Sequence, residues 1–192
     1  QQFLELQERI KVLKEKNVGY AATKDSATAT KAAKLELERA RESQLTIIQK
    51  AINEEMVRLN DMIYDGERYA PDITFESTKT GNPKYRFKTE ADGGTGTNYK
   101  GLIVFDLSVL ALTQLPAVVH DSLIFKNIAD LPIDRIMQVY NQSKKQVFIA
   151  FDKTDAFSDV TKQIIDSTTV LELHENGGEL FGWMWAKKKD SN

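Results

Sequence analysis

Apolar residues are spaced along this chain in two regimes that change near residue 65. In the first, Phe3, Leu6, Ile10 and Leu13 are three and four residues apart, the a/d stripe of a helix that pairs with another helix. The stripe returns as Leu45, Ile52 and Leu59, seven apart, with Ile48 and Met62 at d positions. Glu55 takes the intervening d position, and Met56 beside it is expected to share the seam. Such heptads bury a narrow strip, which suits a coiled coil better than a compact core. Between the stripes, residues 17–34 are rich in Ala, Thr, Ser and Lys and include Gly19. That stretch predicts a weak helix or a turn at which one helix folds back on the other. Residues 1–65 therefore read as a coiled-coil arm, in places a helical hairpin, with two plain amphipathic helices of a small bundle as the alternative.

After Asp65-Gly66 the pattern becomes mixed. Ile73-Thr-Phe-Glu and Tyr85-Arg-Phe-Lys alternate apolar and polar residues, as half-buried strands do, with Thr80-Gly-Asn-Pro83 as the turn between them. A glycine-rich loop over residues 92–98 leads into an apolar helix expected over Tyr99–Leu112. A buried strand follows over Ala117–Asp121, then a helix over Pro132–Ser143, a strand over Val147–Phe151 and a helix over Asp159–Ser167. Val170–Leu173 and Leu180–Trp185, around Asn176-Gly-Gly178, predict a closing hairpin. Helices alternating with short apolar strands predict an α/β lobe over residues 66–192, with helices packed on a small, mostly parallel sheet plus β-hairpins.

Composition narrows the chemistry. Without cysteine there is no disulfide scaffold, thiolate metal site, iron–sulfur cluster or thiol nucleophile, and two histidines are too few for a His-rich metal site. A net charge of −2 supplies no general attraction to nucleic acid or to an acidic membrane. The most apolar stretch, Gly101–Val119, is interrupted by Asp106, Gln114 and Pro116, so it reads as core rather than a membrane span. The absence of a signal-like start and of cysteine fits a cytoplasmic protein. The chain opens on Gln-Gln-Phe rather than Met, and the expectation is of a longer parent polypeptide.

Two segments carry candidate chemistry. Several glycines at a helix start present backbone N–H groups and the positive end of the helix dipole to an anion. Thr95, Thr97 and Asn98 could add side-chain donors there, and Lys100 a charge; equally, Thr97 or Asn98 could serve only as the N-cap. Asp121, expected at the C-terminal end of a buried strand, lies where open α/β sheets bind ligands, and one carboxylate plus substrate phosphates is the usual way to hold Mg²⁺. The alternative is an Asp that caps the next segment, with His120 as a satisfied partner. Asp152-Lys153 closes the second strand at the same sheet edge. A basic ribbon of Lys79, Lys84, Arg86, Lys88 and Lys100, interleaved with Tyr85, Phe87 and Tyr99, could touch nucleic-acid phosphates or be a solvated hairpin face.

With these elements in this order, and through Gly94-Thr-Gly-Thr-Asn-Tyr-Lys-Gly101, Phe105-Asp-Leu107 and Leu115-Pro-Ala-Val-Val-His-Asp-Ser122, the chain resembles the C-terminal lobe of an ABC-type ATPase. The resemblance is to the structural-maintenance-of-chromosomes and RecN class, in an uncharacterised bacterial branch with coiled-coil arms. It implies that Thr95, Gly96, Thr97, Asn98 and Lys100 belong to the signature loop, which touches ATP bound to the opposing head. It implies that Asp121 is the Walker B aspartate, holding Mg²⁺ through water, and that Asn127 is close to the loop contacting the dimer partner. Asp152 or Lys153 then falls where many ABC proteins carry a switch histidine.

The chain departs from that pattern at Ser122, which stands where a glutamate usually polarises the attacking water, and in its signature loop, which is not Leu-Ser-Gly-Gly. It also lacks the phosphate-binding loop with its lysine, which in the resembled class lies in the N-terminal half of the same polypeptide. The implied parent binds ATP and Mg²⁺ between two heads, as a homodimer through heads or coiled coil. It acts on DNA in repair, chromosome organisation or anti-phage defence, with Lys84, Arg86 and Lys88 as possible DNA contacts. The chain alone is then expected to hold nucleotide weakly and to hydrolyse none. The competing reading is a non-enzymatic coiled-coil scaffold whose lobe binds a protein or nucleic acid.

Overall fold

A computed structural model describes residues 2–76, 84–152, 157–175 and 178–182. The described chain is α/β, mostly helical with two small sheets. Its elements run α1 (Gln2–Tyr64), β1 (Pro71–Glu76), β2 (Lys84–Thr89), α2 (Thr95–Leu112), β3 (Ala117–His120), a 3-10 turn (Ser122–Ile124), α3 (Asp130–Gln142), β4 (Gln146–Ile149) and α4 (Asp159–Thr168). Two compact units divide them: Gln1–Ala51 with Ile73–Arg86, and Ile52–Asp72 with Phe87–Asn192.

In the first unit α1 is unbroken, and the fold-back expected within residues 17–34 does not occur. Ala and Lys are good helix formers and carry the segment through. The threonines that weaken it turn their hydroxyls inward: Thr23, Thr28 and Thr30 donate to the carbonyls of Gly19, Lys24 and Ser26, each at 2.8–2.9 Å. Phe3, Leu6, Ile10, Leu13 and Ile48 stand exposed on this helix. At the β1 end, Gln49 Oε1 accepts the Phe75 N–H at 2.8 Å. The expected turn at residues 80–83 lies outside the described residues.

The second unit begins inside α1, where Met56, Leu59, Asn60 and Ile63 are buried. Their spacing of three, four and seven is the stripe of a helix docked on a globular core. Met56 is fully buried while Glu55 turns out to Arg58 through two hydrogen bonds of 2.6 and 2.8 Å. The helix ends at Asp65 and Gly66, both left-handed at φ 55° and 76°, with Asp65 N–H closing on the Asp61 carbonyl. The core joins Ile103, Val104, Leu107 and Leu110 of α2 to Ile133, Ile136 and Met137 of α3, with Phe125 and Phe157.

α2 starts four residues earlier than expected, because the helix absorbs Thr95–Asn98 and leaves Gly94 as an extended N-cap. At its other end the Lys145 ammonium donates to the carbonyls of Leu110, at 2.6 Å, and Thr113, covering acceptors a helix leaves open. β3 and β4 pair in parallel from Ala117↔Gln146 to His120↔Ile149. α4 is capped by Ser158, whose Oγ accepts from Thr161 N–H and donates to Asp134 Oδ1 of α3 at 2.8 Å. The closing hairpin is not formed as expected. Residues 170–173 are not in a strand, and the described part keeps one antiparallel bridge, His174↔Gly178. Residues 176–177 and 183–185 of that hairpin lie outside the described residues.

Candidate functional site

β3 and β4 run side by side, so Asp121 and Asp152 both leave the sheet at its C-terminal edge. The strand is held there by His120, which is buried between two helices. Its Nδ1 shares a hydrogen bond with the Tyr140 hydroxyl of α3 at 2.6 Å, and its Nε2–H donates to Asp106 of α2 at 3.1 Å. Burial drives the Tyr140 hydroxyl well above the usual tyrosine range. The histidine is thus a satisfied core group and its neighbour the exposed one. Asp121 has an extended backbone, its side chain makes no capping hydrogen bond, and it is open to solvent. Ser122, half-buried, opens the 3-10 turn. Asp152 is exposed and lies 3.8 Å from the Lys126 ammonium, while Lys153 lies outside the described residues.

The start of α2 is the second part of the site. A Cβ built on Gly96 would lie 2.3 Å from the Asn127 carbonyl oxygen, so the first turn of α2 and the segment after the 3-10 turn approach too closely for any side chain. The fold therefore brings Gly96 and Asn127 together, as neighbours in one packed contact. Thr95 and Asn98 are exposed. Thr97 is not a free donor: its hydroxyl bonds Asp92 Oδ2 at 2.6 Å, while Asp92 Oδ1 accepts the Gly94 N–H at 3.1 Å. Those two bonds hold the Asp92 carboxyl below its usual range, with Arg68 and Lys100 adding to the effect. Asp92 is then the anion this helix start already faces.

Lys100 departs furthest from expectation. Its residue is 2% exposed, and its Nζ donates to Asn60 Oδ1 of α1 at 2.9 Å. Burial lowers it from 10.5 to about 8, Asp92 opposing that shift and Arg68 adding to it. It borders a recess of about 220 Å³ whose lining includes Tyr64, Arg68, Tyr69, Glu90 and Asp92. The periodicity carried a signal for this, since Lys100 precedes Ile103, Val104 and Leu107 on one helical face. Asn60, Tyr64 and Asp92, which the sequence analysis did not single out, surround it.

The basic ribbon is partly neutralised within its own strands. Arg86 pairs with Glu76, and Lys88 lies 3.9 Å from Asp72. Lys84 is exposed on β2, and Lys79 lies outside the described residues. No cluster of three or more potential metal ligands occurs among the described residues. A single open carboxylate such as Asp121 nevertheless fits Mg²⁺ brought in by a nucleotide, which needs one or two protein carboxylates. No helix among the described residues is long and apolar enough to cross a membrane.

Comparison with known proteins places these features in context. A family model described as "Uncharacterised protein conserved in bacteria (DUF2326)" matches residues 50–185. No curated protein matches the chain at a significant level. A solved structure from work on "ATP-driven dimerization and DNA stimulated activation of SMC ATPases" is similar at 14% identity and a TM-score of 0.45, over 59% of this chain and 74% of that one. A "crystal structure of the SmcHead bound to the C-winged helix domain of ScpA" is similar at 14% identity and a TM-score of 0.43, over 60% of this chain and 37% of that one.

Proposed function

The chain belongs to the DUF2326 family, and from that premise we propose that it is the C-terminal half of an ATP-dependent head whose coiled-coil arm is α1. One observation carries the reading. Among the described residues β3 and β4 form a two-stranded parallel sheet. Parallel sheets are stable when both faces are covered and more strands join them. Here the register partners Val119 and Phe148 are 72% and 45% exposed, and the open carboxylate of Asp121 follows at the C-terminal edge. Such a sheet is half of a larger one, with its ligand edge already equipped.

In this reading an N-terminal half of the same parent supplies the missing strands and the phosphate-binding lysine. Asp121 would hold Mg²⁺, and the exposed Thr95 and Asn98, with the first N–H groups of α2, would face the nucleotide of an opposing head. Asp92 has to yield its place at the helix start when a phosphate arrives. Lys100 is a supporting group, since its ammonium is turned into the core. Mg²⁺ held there would supply charge neutralisation for the transferred phosphoryl group. The role of a water-polarising carboxylate is left unfilled by Ser122. Nucleotide-driven engagement of two heads would move the arms on DNA.

The test uses the parent polypeptide and its Mg²⁺-dependent ATP turnover. A slow rate that Ser122→Glu raises by about a hundredfold, the low end of a general base's contribution, is the expected result. A parent without measurable turnover, in which Ser122→Glu also gives none, would favour a scaffold over an ATPase.

A further inference from the structure

Two cations lie over the ring of Tyr64: the Arg68 guanidinium at 5.2 Å and the Lys100 ammonium at 5.0 Å from its centroid. Lys100 also donates to Asn60, one turn earlier on α1, and the Asn60 amide in turn donates to the Arg68 carbonyl at 2.8 Å. Arg68 reaches Asp92 at 3.9 Å, and Asp92 holds Gly94 and Thr97. These contacts form a closed circuit with no unsatisfied buried side-chain polar atom among the described residues. Three parts of the second unit meet in it: the last turns of α1, the segment after Gly66, and the loop that starts α2.

We infer that Asn60, Tyr64, Arg68 and Lys100 form a latch that ties the position of the loop 92–98 to the last turns of α1. The inference rests on the proposed function for its purpose, since that loop is the part expected to meet nucleotide. A polar circuit is a costly way to fill this space. An apolar residue at position 100 would pack on Tyr64 without burying an amine, and would leave nothing to position. Lysine and asparagine give instead a directional joint with one satisfied geometry. When α1 shifts or rotates at its C-terminal turns, Asn60 and Tyr64 carry the Lys100 ammonium with them. Lys100 belongs to the first turns of α2, and Arg68 draws on Asp92, so the loop has to follow. These are positioning residues, acting on the site through the start of α2.

Amide hydrogen exchange on the 192-residue chain tests the latch without nucleotide. In Lys100→Met and in Tyr64→Leu, amides from Gly94 to Gly101 should exchange at least about tenfold faster, the loss expected for a hydrogen bond from a charged donor. Amides of β4 and α4 should keep their wild-type rates. Asn60→Leu combined with Lys100→Met should accelerate exchange by less than the two single effects added together, because both remove the Lys100–Asn60 bond. Arg68 is exposed enough that Arg68→Gln keeps the fold. That variant alone should speed exchange at residues 94–98 by about two- to fivefold, the range of an exposed cation–π contact. Unchanged rates at 94–101 in Arg68→Gln and Lys100→Met, or an acceleration equal throughout the unit, overturn the latch. A parent with no nucleotide response would sink the ATPase reading alone, because the exchange result stands independently of it.

Discussion

Lys100 gives the chain a pH signature that belongs to one residue. Its folded value is about 8, below the 10.5 of an unfolded lysine, because burial disfavours the charge. Between those two values the unfolded chain keeps a proton that the folded one has released, so stability rises with pH across that window. Below about pH 8 both states are protonated, and the cost of burying the charge is present in full. Tyr140 and Tyr64 act in the opposite sense, since burial raises both, and stability falls once pH passes the ordinary tyrosine value of 10.0. Urea midpoints measured from pH 8 to 9.5 should therefore climb in the wild type and stay flat in Lys100→Met. A flat wild-type profile would mean that the amine is not desolvated. Gly96 shows how a residue can be legible in type and misleading in purpose. A glycine at a helix start suggests room for a phosphate, but what fills its missing side chain is the Asn127 carbonyl. Substitutions there report packing before they report nucleotide.

At the scale of elements, helices and strands were legible wherever local pattern and packing agree. The alternation of Ile73–Glu76 and Tyr85–Lys88 became β1 and β2, and Asp121 does follow a parallel strand, though only His120 of that strand is buried. The start of α2 was misplaced because three glycines in the loop argue against helix, whereas Asp92 supplies the bonds that let the helix begin at Thr95. The fold-back in α1 was suggested by Gly19 and the threonines, and it failed because each threonine hydroxyl finds a carbonyl four residues back. The contacts of Ser158 with Thr161 and Asp134 join α3 to α4 across 24 residues, which no local pattern announces. Burial pushes the Asp134 carboxyl up, but bonds from Thr161 and Ser158 outweigh it and hold it low. Ser158→Ala should cost about 1–2 kcal/mol, the usual loss of a helix cap and a side-chain bond. Thermal unfolding with a loss near zero would show that the cap carries no stability.

For the whole molecule, two surfaces are unfinished. One is the seam of α1, where Phe3, Leu6, Ile10 and Leu13 stand 48–74% exposed. A single helix with this stripe gains little by itself, so self-association is the expected outcome, and sedimentation should give a mass above 21.7 kDa that depends on concentration. A monodisperse monomer at tens of micromolar would contradict the coiled-coil arm. Truncation before Leu45 should return the chain to monomer if the seam is responsible. The other surface is the outer face of β3 and β4, and it bears on what the chain is for. The sequence carried this poorly. Val119 and Phe148 look like core residues in any strand, and only the paired register shows them sharing one open face.

The account stands or falls on that edge being half of a nucleotide site. The most direct measurement is Mg²⁺-dependent ATP turnover by the parent polypeptide carrying Asp121→Asn, a change of one atom on an exposed side chain that leaves β3 and its His120 anchor in place. Loss of turnover by about a hundredfold or more, with the unfolding midpoint unchanged, is the predicted result. Turnover equal to that of the unaltered parent would remove Asp121 from the mechanism and, with it, the reading of this lobe as half of an ATPase head.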